Sequence, residues 1–347
     1  MDADVEMRFF NVSEVILMNV SLAVIIATKD RSSEIKRHAL TSLERSTCRD
    51  FLCVVWDASQ DEETRRVVED GAWTFPLKYF RAPRAGSASQ RNDAVKQVLM
   101  HERSIRYVLF IDDDCELSQD ALKGILTTFE KTGASVVNLP MHSHLEHGPY
   151  GLSSWVKKRL GWDHHGATEF LYNYGAWEEK RGGGADWASG GGMALDVDVF
   201  RKYKCFFPED FQRFGGYALG EDFAFSFFLH KKMGMRIVNS LEGHFFHYPA
   251  GGARLNLANM AASKWYNFHL LFECIYDDVH SPKLLWLKVK FKLFMLAAAL
   301  KLLFRARSLD LFSLLRGIGS ARAALREFHA TRSIKTLIRR IDGAEED

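Results

Sequence analysis

The run Arg106-Tyr107-Val108-Leu109-Phe110-Ile111 stops at Asp112, Asp113 and Asp114, and this change from apolar to triply acidic limits what the chain can fold into. Val108 to Ile111 shows no polar–apolar alternation, so it is expected as a strand buried on both faces of a parallel sheet. Open α/β sheets bind ligands at the carboxyl ends of such strands, which is where the three acids would lie. Adjacent carboxylates repel one another unless a cation neutralises them. Mg²⁺ and Mn²⁺ prefer oxygen ligands, commonly carboxylate together with substrate phosphate. A solvated acidic turn capping the next helix is the competing reading of the same triplet.

The pattern recurs upstream. Leu22 to Ala27 is a second buried strand ending at Thr28-Lys29-Asp30-Arg31-Ser32, before a helix signalled by Ile35, Ala39 and Leu43. Phe51 to Trp56 is another, ending at Asp57-Ala58-Ser59. A short strand around Lys78-Tyr79-Phe80 leads through a Gly/Ser/Ala-rich loop to Gln90-Arg91-Asn92-Asp93-Ala94, which opens a helix. Alternation of strand and helix predicts an α/β domain with a mostly parallel sheet. Asp30, Asp57, Arg91 and Asp112 to Asp114 then share one rim. Such a rim suits a nucleotide: carboxylates accept from a base or ribose, a guanidinium pairs with phosphate, and the last acid holds a metal bridging a diphosphate.

Composition excludes other classes. The chain is 47% hydrophobic and 26% charged over 347 residues, which is a globular balance and not a disordered one. Its five cysteines include no Cys-x-x-Cys pair, as expected of a reducing compartment. The acidic opening Met1-Asp2-Ala3-Asp4-Val5-Glu6 lacks the basic region of a signal peptide, so a cytoplasmic location is expected.

From Met141 to Asp186 the sequence is irregular and aromatic, with His142, His144, His147, His164 and His165 among Trp155, Trp162, Tyr172, Tyr174 and Trp177. A metal centre of His142, His144 and His147 is the competing reading, unsupported by a cysteine partner or helical spacing, and a loop shaping a substrate pocket is expected. Next come Trp187-Ala188-Ser189-Gly190-Gly191-Gly192-Met193-Ala194, Phe207-Pro208-Glu209-Asp210-Phe211, Gly220-Glu221-Asp222, and His244-Phe245-Phe246-His247.

As an ordered set, these motifs resemble the family 2 inverting glycosyltransferases of GT-A fold, over roughly residues 21 to 267. The resemblance implies that Thr28, Asp30, Arg31, Asp57 and Arg91 surround the nucleotide. Asp112 and Asp114 become the outer acids of an Asp-x-Asp motif, the first on the ribose side beside Asp113 and the second on the metal, with Asp112 counted among the metal ligands as well. It implies Asp222 as catalytic base with Glu221 beside it, and Trp187, Gly191, Gly192 and Met193 on the acceptor side. His247 would complete the metal site, with His244 its rival. A divalent Mn or Mg ion, a nucleotide-diphosphate sugar donor and a hydroxyl of a lipid-linked or growing glycan follow from the same resemblance. Inversion rests on it alone, since acids of this kind could also serve retention through a covalent intermediate. A non-catalytic nucleotide-sugar-binding protein of the same fold is the alternative.

Between residues 281 and 340, fourteen Lys and Arg face two acids, a local +12 that leaves −10 elsewhere in a chain summing to +2. Within it, the longest charge-free run, Leu293 to Leu300, falls well short of the ~20 residues that span a bilayer. Each lysine buried at a bilayer centre would cost about 2.5 to 3.5 kcal/mol. Trp286, Phe291, Phe294 and Phe304 among these lysines instead suit basic amphipathic helices lying on an anionic membrane. Helices packed on the catalytic domain are the competing expectation. No nucleic-acid-binding motif accompanies the charge. The tail also resembles those of bacterial family members that build surface polysaccharides, which implies peripheral attachment to the cytoplasmic face of the inner membrane. The expected layout is an extension (1–20), a nucleotide-sugar half (21–140), an acceptor half (141–275) and a basic helical appendage (276–347).

Overall fold

The computed structural model describes residues 20–142, 166–171, 173–174, 181–215, 219–249, 256–277, 279, 282–305 and 310–331. The expectations for His144, His147, Trp155, Trp162, His164, His165, Tyr172 and Trp177 fall outside the described residues.

Strands β1 (Leu22–Thr28), β2 (Phe51–Asp57), β3 (Leu77–Arg81) and β4 (Tyr107–Asp112) run parallel to one another. Their register sets Thr28 of β1 beside Asp57 of β2, and Ala27 beside Asp112 of β4, so the acids finish level along one edge. The lack of alternation has a simple cause. Ala23 and Ile25 enter the core on one face of the sheet, Leu22, Val24 and Ile26 the core on the other, and all five are fully buried.

The helices fall on both faces. On one lie α1 (Ser32–Ile35) and α2 (Thr41–Glu44), joined by a π turn over Lys36–Leu40, and α3 (Glu63–Glu69). The other face is covered by α4 (Ser87–His101), whose Ala88, Ala94 and Val95 enter that core. After β4 a short strand β5 (Cys115–Leu117) leads to α5 (Ala121–Thr132), which carries the Leu122, Ile125, Leu126, Phe129 stripe and ends on Gly133 at φ 60°, a left-handed cap.

Eight strands complete the set: β6 (Val136–Asn138), β7 (Met141–His142), β8 (Gly166–Ala167), β9 (Asn173–Tyr174), β10 (Gly184–Ala185), β11 (Met193–Asp196), β12 (Ile237–Asn239) and β13 (Phe245–His247). The main sheet has the order β10-β12-β6-β11-β4-β1-β2-β3, so the two expected halves share one sheet. Its centre departs from the sequence expectation. The end of the glycine block is strand β11, running antiparallel between β4 and β6 with Met193 opposite Phe110 and Asn138. A second sheet, β5-β13-β7, stands beside the carboxyl end of β4.

Helices α6 (Asp198–Arg201), α7 (Glu221–Lys231) and α8 (Leu257–Tyr276) follow, the last capped by Asn256, which accepts from the Asn259 N–H. Two long basic helices close the chain, α9 (Pro282–Arg305) and α10 (Leu311–Thr331). Helix α10 lies against α8 where Gly317 allows close approach; a Cβ there would stand 2.2 Å from the Ala258 carbonyl oxygen. Helix α9 buries Phe291 and Met295 in the main core. Among the described residues no helix is long and apolar enough to cross a membrane.

Candidate active site

Hydrogen bonds link the loops leaving β1, β2 and β4 to one another, and the β4 end to the amino end of α7, as one cluster. Its centre is Arg91, which α4 places below the strand ends. The guanidinium donates from one nitrogen to Glu221 Oε1 at 2.7 Å and from the other to Asp112 Oδ1 at 2.7 Å, and lies 5.5 Å above the Phe207 ring. Burial opposes its charge, but Asp112, Glu221 and Asp222 outweigh that and raise its pKa further. The same burial pushes Glu221 up to about 7; Arg91 works against the rise and Asp222 adds to it. One arginine thus ties the end of β4 to the start of α7.

Asp222, beside Glu221, is half-buried in the first turn of α7. Its Oδ2 accepts from the Gly190 N–H at 2.8 Å and its Oδ1 from the Phe223 N–H at 2.7 Å, so the carboxylate is fixed at a helix amino terminus that favours negative charge. The glycine block makes this possible. A Cβ on Gly190 would come within 2.9 Å of the Arg91 guanidinium and 3.2 Å of Asp222 Cβ. On Gly191 it would meet Phe245 and Cys115, and on Gly192 Phe245 and Leu139, so these two glycines pack the site's floor. Met193 is wholly buried in the core, and Trp187 packs edge-on against Phe223 while donating to the Gly166 carbonyl. Of the residues expected to face an acceptor, Met193 presents no surface to one.

Neighbouring motif residues brace the rim. Gln90 donates to the carbonyls of Thr28 and Trp56, locking β1 to β2, and Asn92 exchanges hydrogen bonds with the Phe207 backbone. Asp57 is fully buried and accepts from the Ser59 N–H and hydroxyl, from Tyr79 Oη at 2.8 Å and from Arg81 at 3.2 Å. Both of its oxygens are engaged by protein donors, so it braces the β2 end. Asp30 adopts a left-handed φ of 54°, donates its N–H to Ser59 Oγ and leaves its side chain exposed.

The remaining acids divide the work. Asp113 accepts from Thr28 Oγ1 at 2.6 Å and Arg31 at 3.0 Å, and burial raises its pKa to about 6 against the pull of Arg31. Asp114 faces Arg31 at 3.4 Å on one oxygen and His247 Nε2 at 3.3 Å on the other. His247 arrives there because β13 pairs with β5 so that His247 stands opposite Cys115, and the Tyr248 N–H donates to the Asp114 carbonyl. His244 does not join this group; it stacks on His142 with ring centroids 4.2 Å apart. Tyr79, Ser59 and Phe207 stand inside the quoted motifs without a role of their own, and Arg81 lies just beyond them. The period of two puts Tyr79 and Arg81 on one face of β3, the only signal that could have marked them.

Residues 23–178 match the model of the glycosyl transferase family 2. Over that stretch the chain is similar to the family 2 glycosyltransferases. No curated protein matches the sequence. Among solved structures, S. aureus TarS 1-349 in complex with UDP-GlcNAc shares 16% identity, with 90% of this chain and 92% of that one covered and a TM-score of 0.50. The mannosyltransferase PcManGT from Pyrobaculum calidifontis, in complex with GDP-Man and Mn²⁺, shares 16% over 93% and 79%, TM-score 0.51. GalNAc-T7 with UDP, GalNAc and Mn²⁺ shares 14% over 82% and 58%, TM-score 0.52. At such identities the likeness shows the GT-A fold. The chain spans 42% of the longer TarS chain.

The residues of this site fit a divalent cation. With ligand bonds of about 2.1 Å, neighbouring ligands of an octahedral ion stand about 3 Å apart, and Asp114 Oδ1 and His247 Nε2 are separated by 3.3 Å. Cys115 Sγ lies in the same group. Its thiol is held well above its ordinary pKa by burial and by Asp112 and Asp114, so it stays protonated and soft, unlike a ligand for a hard ion. Two protein ligands leave positions for phosphate oxygens and water, as Mg²⁺ and Mn²⁺ sites usually do.

Proposed function

We propose that this chain transfers a sugar from a nucleotide-diphosphate donor to a hydroxyl of a lipid-linked or growing glycan, with inversion at the anomeric carbon. The observation that carries this reading is the Arg91 bridge, which holds Asp112 on the donor rim and Glu221, next to Asp222, as one unit.

The nucleoside lies along the ends of β1 and β2, where Thr28, Asp30 and Arg31 offer hydrogen-bond partners and Asp57 keeps Tyr79 and Arg81 in place. Asp222 receives the proton of the acceptor hydroxyl while that oxygen attacks the anomeric carbon. The bond from that carbon to the diphosphate oxygen breaks, and its electron pair leaves with the diphosphate. A positioned base of this kind contributes typically 10²- to 10⁴-fold. The Gly190 and Phe223 N–H groups hold the carboxylate in one orientation, which fixes the line of attack. A Mn²⁺ or Mg²⁺ held by Asp114 and His247 beside Asp112 would supply positive charge against the departing diphosphate. The basic helices α9 and α10, with their exposed Trp286, Leu293 and Phe312, support a peripheral position on an anionic membrane.

Incubation of the purified chain with Mn²⁺ and a panel of nucleotide sugars, following nucleoside diphosphate release, tests the reading. Asp114→Ala and Asp222→Ala should each lose at least a hundredfold in turnover, and NMR of the product should show the inverted anomer. Unchanged turnover in both variants overturns the site. Donor binding without turnover on any acceptor favours the non-catalytic alternative.

A further inference from the structure

Helices α8, α9 and α10 enclose a groove of about 800 Å³ apart from the active site, lined by Trp265, His269, Lys292, Gly319, Arg322 and Arg326 together with a leucine. The three helices carry two acids between them, Glu273 and Glu327, and these are engaged by His329 at 3.3 Å and Arg213 at 2.5 Å. Arg322 lies 5.6 Å over the Trp265 ring. Arg322 and Lys292 also act on His269, lowering its pKa after burial has done so, which marks the three as electrostatic neighbours. Concentrated positive charge over an aromatic floor, with no acid among the described residues lining it, suits an anion.

What surrounds the groove identifies the anion's carrier. Helix α9 is apolar on two opposite faces. At about 100° per residue, Phe291, Met295 and Ala298 face the core, and Leu285, Trp286, Val289, Leu293, Leu296 and Leu300 cluster roughly opposite. Those six are 41 to 70% exposed. Lys288 and Lys292 flank that outer stripe on one side, and Lys283, Lys290 and Lys301 on the other, all exposed. Long cationic side chains on both margins of an apolar band are what a helix lying in a headgroup layer requires, since their stems can follow the acyl region while the ammonium groups reach phosphate. Helix α10 places two cations and its exposed apolar residues on one face, at successive positions along its length. Arg322 and Arg326 share a face with Leu311, Phe312 and Leu315, which are 52, 76 and 57% exposed. Lys292, at the edge of the α9 stripe, and the two α10 arginines are the Lys and Arg residues that line the groove.

The geometry points to a lipid site: the groove binds the phosphate of an anionic phospholipid headgroup, while the outer faces of α9 and the start of α10 sit in the acyl region of the same leaflet. This deepens the membrane position proposed above by naming the headgroup contact. It does not depend on the transfer chemistry.

Sedimentation of the full chain with phosphatidylcholine vesicles, with and without a minority of phosphatidic acid, tests it. The protein should bind the anionic vesicles and only weakly the neutral ones. Lys292→Gln with Arg326→Gln should weaken that binding by clearly more than the roughly thirtyfold that two ordinary surface cations contribute at about fivefold each. Lys283→Gln with Lys301→Gln, the same charge change on the far flank, should cost clearly less, and equal losses overturn the groove as a site. Trp286→Ser with Leu293→Ser, both at exposed positions, should weaken binding to either vesicle. If inorganic phosphate or glycerol phosphate raises Tm through Lys292 and Arg326 while vesicles do not bind, the ligand is a soluble anion and the lipid assignment falls. Asp222→Asn should bind vesicles as the parent does, so a failed transfer reading and a failed lipid reading give different results.

Discussion

Replacing Arg91 by methionine isolates the ion pair that joins the two sides of the site. The substitution removes two 2.7 Å hydrogen bonds and leaves two acids without their shared cation. They will not suffer equally. The Asp112 side chain is 41% exposed and water can replace the guanidinium there, whereas the Glu221 side chain is 9% exposed and has little access to water. Breaking a buried pair from one side costs about 3 to 5 kcal/mol, and the larger share should fall on Glu221. Protonation relieves it, which makes the loss depend on pH. A carboxyl whose folded pKa exceeds its unfolded value binds more protons when folded, so stability falls as pH rises from the unfolded to the folded value. In the parent that decline ends near the Glu221 pKa of about 7. Arg91 lowers that pKa, so in Arg91→Met the decline continues to higher pH. Guanidinium chloride melts at a series of pH values should show a gap of about 1 to 2 kcal/mol at pH 6, the loss of neutral-acid hydrogen bonding. Above pH 7 the gap should widen by up to roughly 1.4 kcal/mol per unit. A gap that does not change between pH 6 and 9 would refute the account.

Gly190→Ala forces a methyl against an arginine held at both ends, so turnover should fall at least tenfold while the melting profile moves by only about 1 to 3 kcal/mol; unchanged turnover means that Arg91 and Asp222 can yield. His247→Gln should weaken Mn²⁺ binding, followed by water proton relaxation, about tenfold or more, while His244→Gln should leave it unaltered; the reverse order would move the metal site. Asp57→Ala strands Ser59, Tyr79 and Arg81 without their acceptor and should destabilise the chain by about 3 kcal/mol. If it instead weakens only donor binding, Asp57 contacts the nucleoside directly.

Strand ends were the most legible part of the sequence. Leu22–Thr28, Phe51–Asp57 and Tyr107–Asp112 are buried on both faces, so they read as continuous apolar runs and their terminal acids stand out. Parallel pairing then makes those acids neighbours with no further information. What each acid does once there was less visible. Asp57 is saturated by Tyr79 and Arg81 from the next strand, and nothing local to Asp57 signals them. Arg91 and Glu221 are 130 residues apart and belong to separate helices, so their pairing is a property of the packed state. The glycine block hid a strand because three glycines outweigh Met193-Ala194-Leu195 in any local reading, whereas burial between β4 and β6 overrides propensity. For α9, the sequence posed packing and membrane contact as rivals, and the helix has one apolar face buried and another exposed.

The small β5-β13-β7 sheet gives the site a vernier. Side chains along β13 alternate, so the pairing of His247 with Cys115 decides which ring faces Asp114. Sliding β13 by a single residue would exchange an imidazole for the phenyl ring of Phe246 and abolish a ligand without altering one atom of composition. Insertions or deletions between Ser240 and His244 should therefore be poorly tolerated even at the exposed Glu242, because they reset that scale.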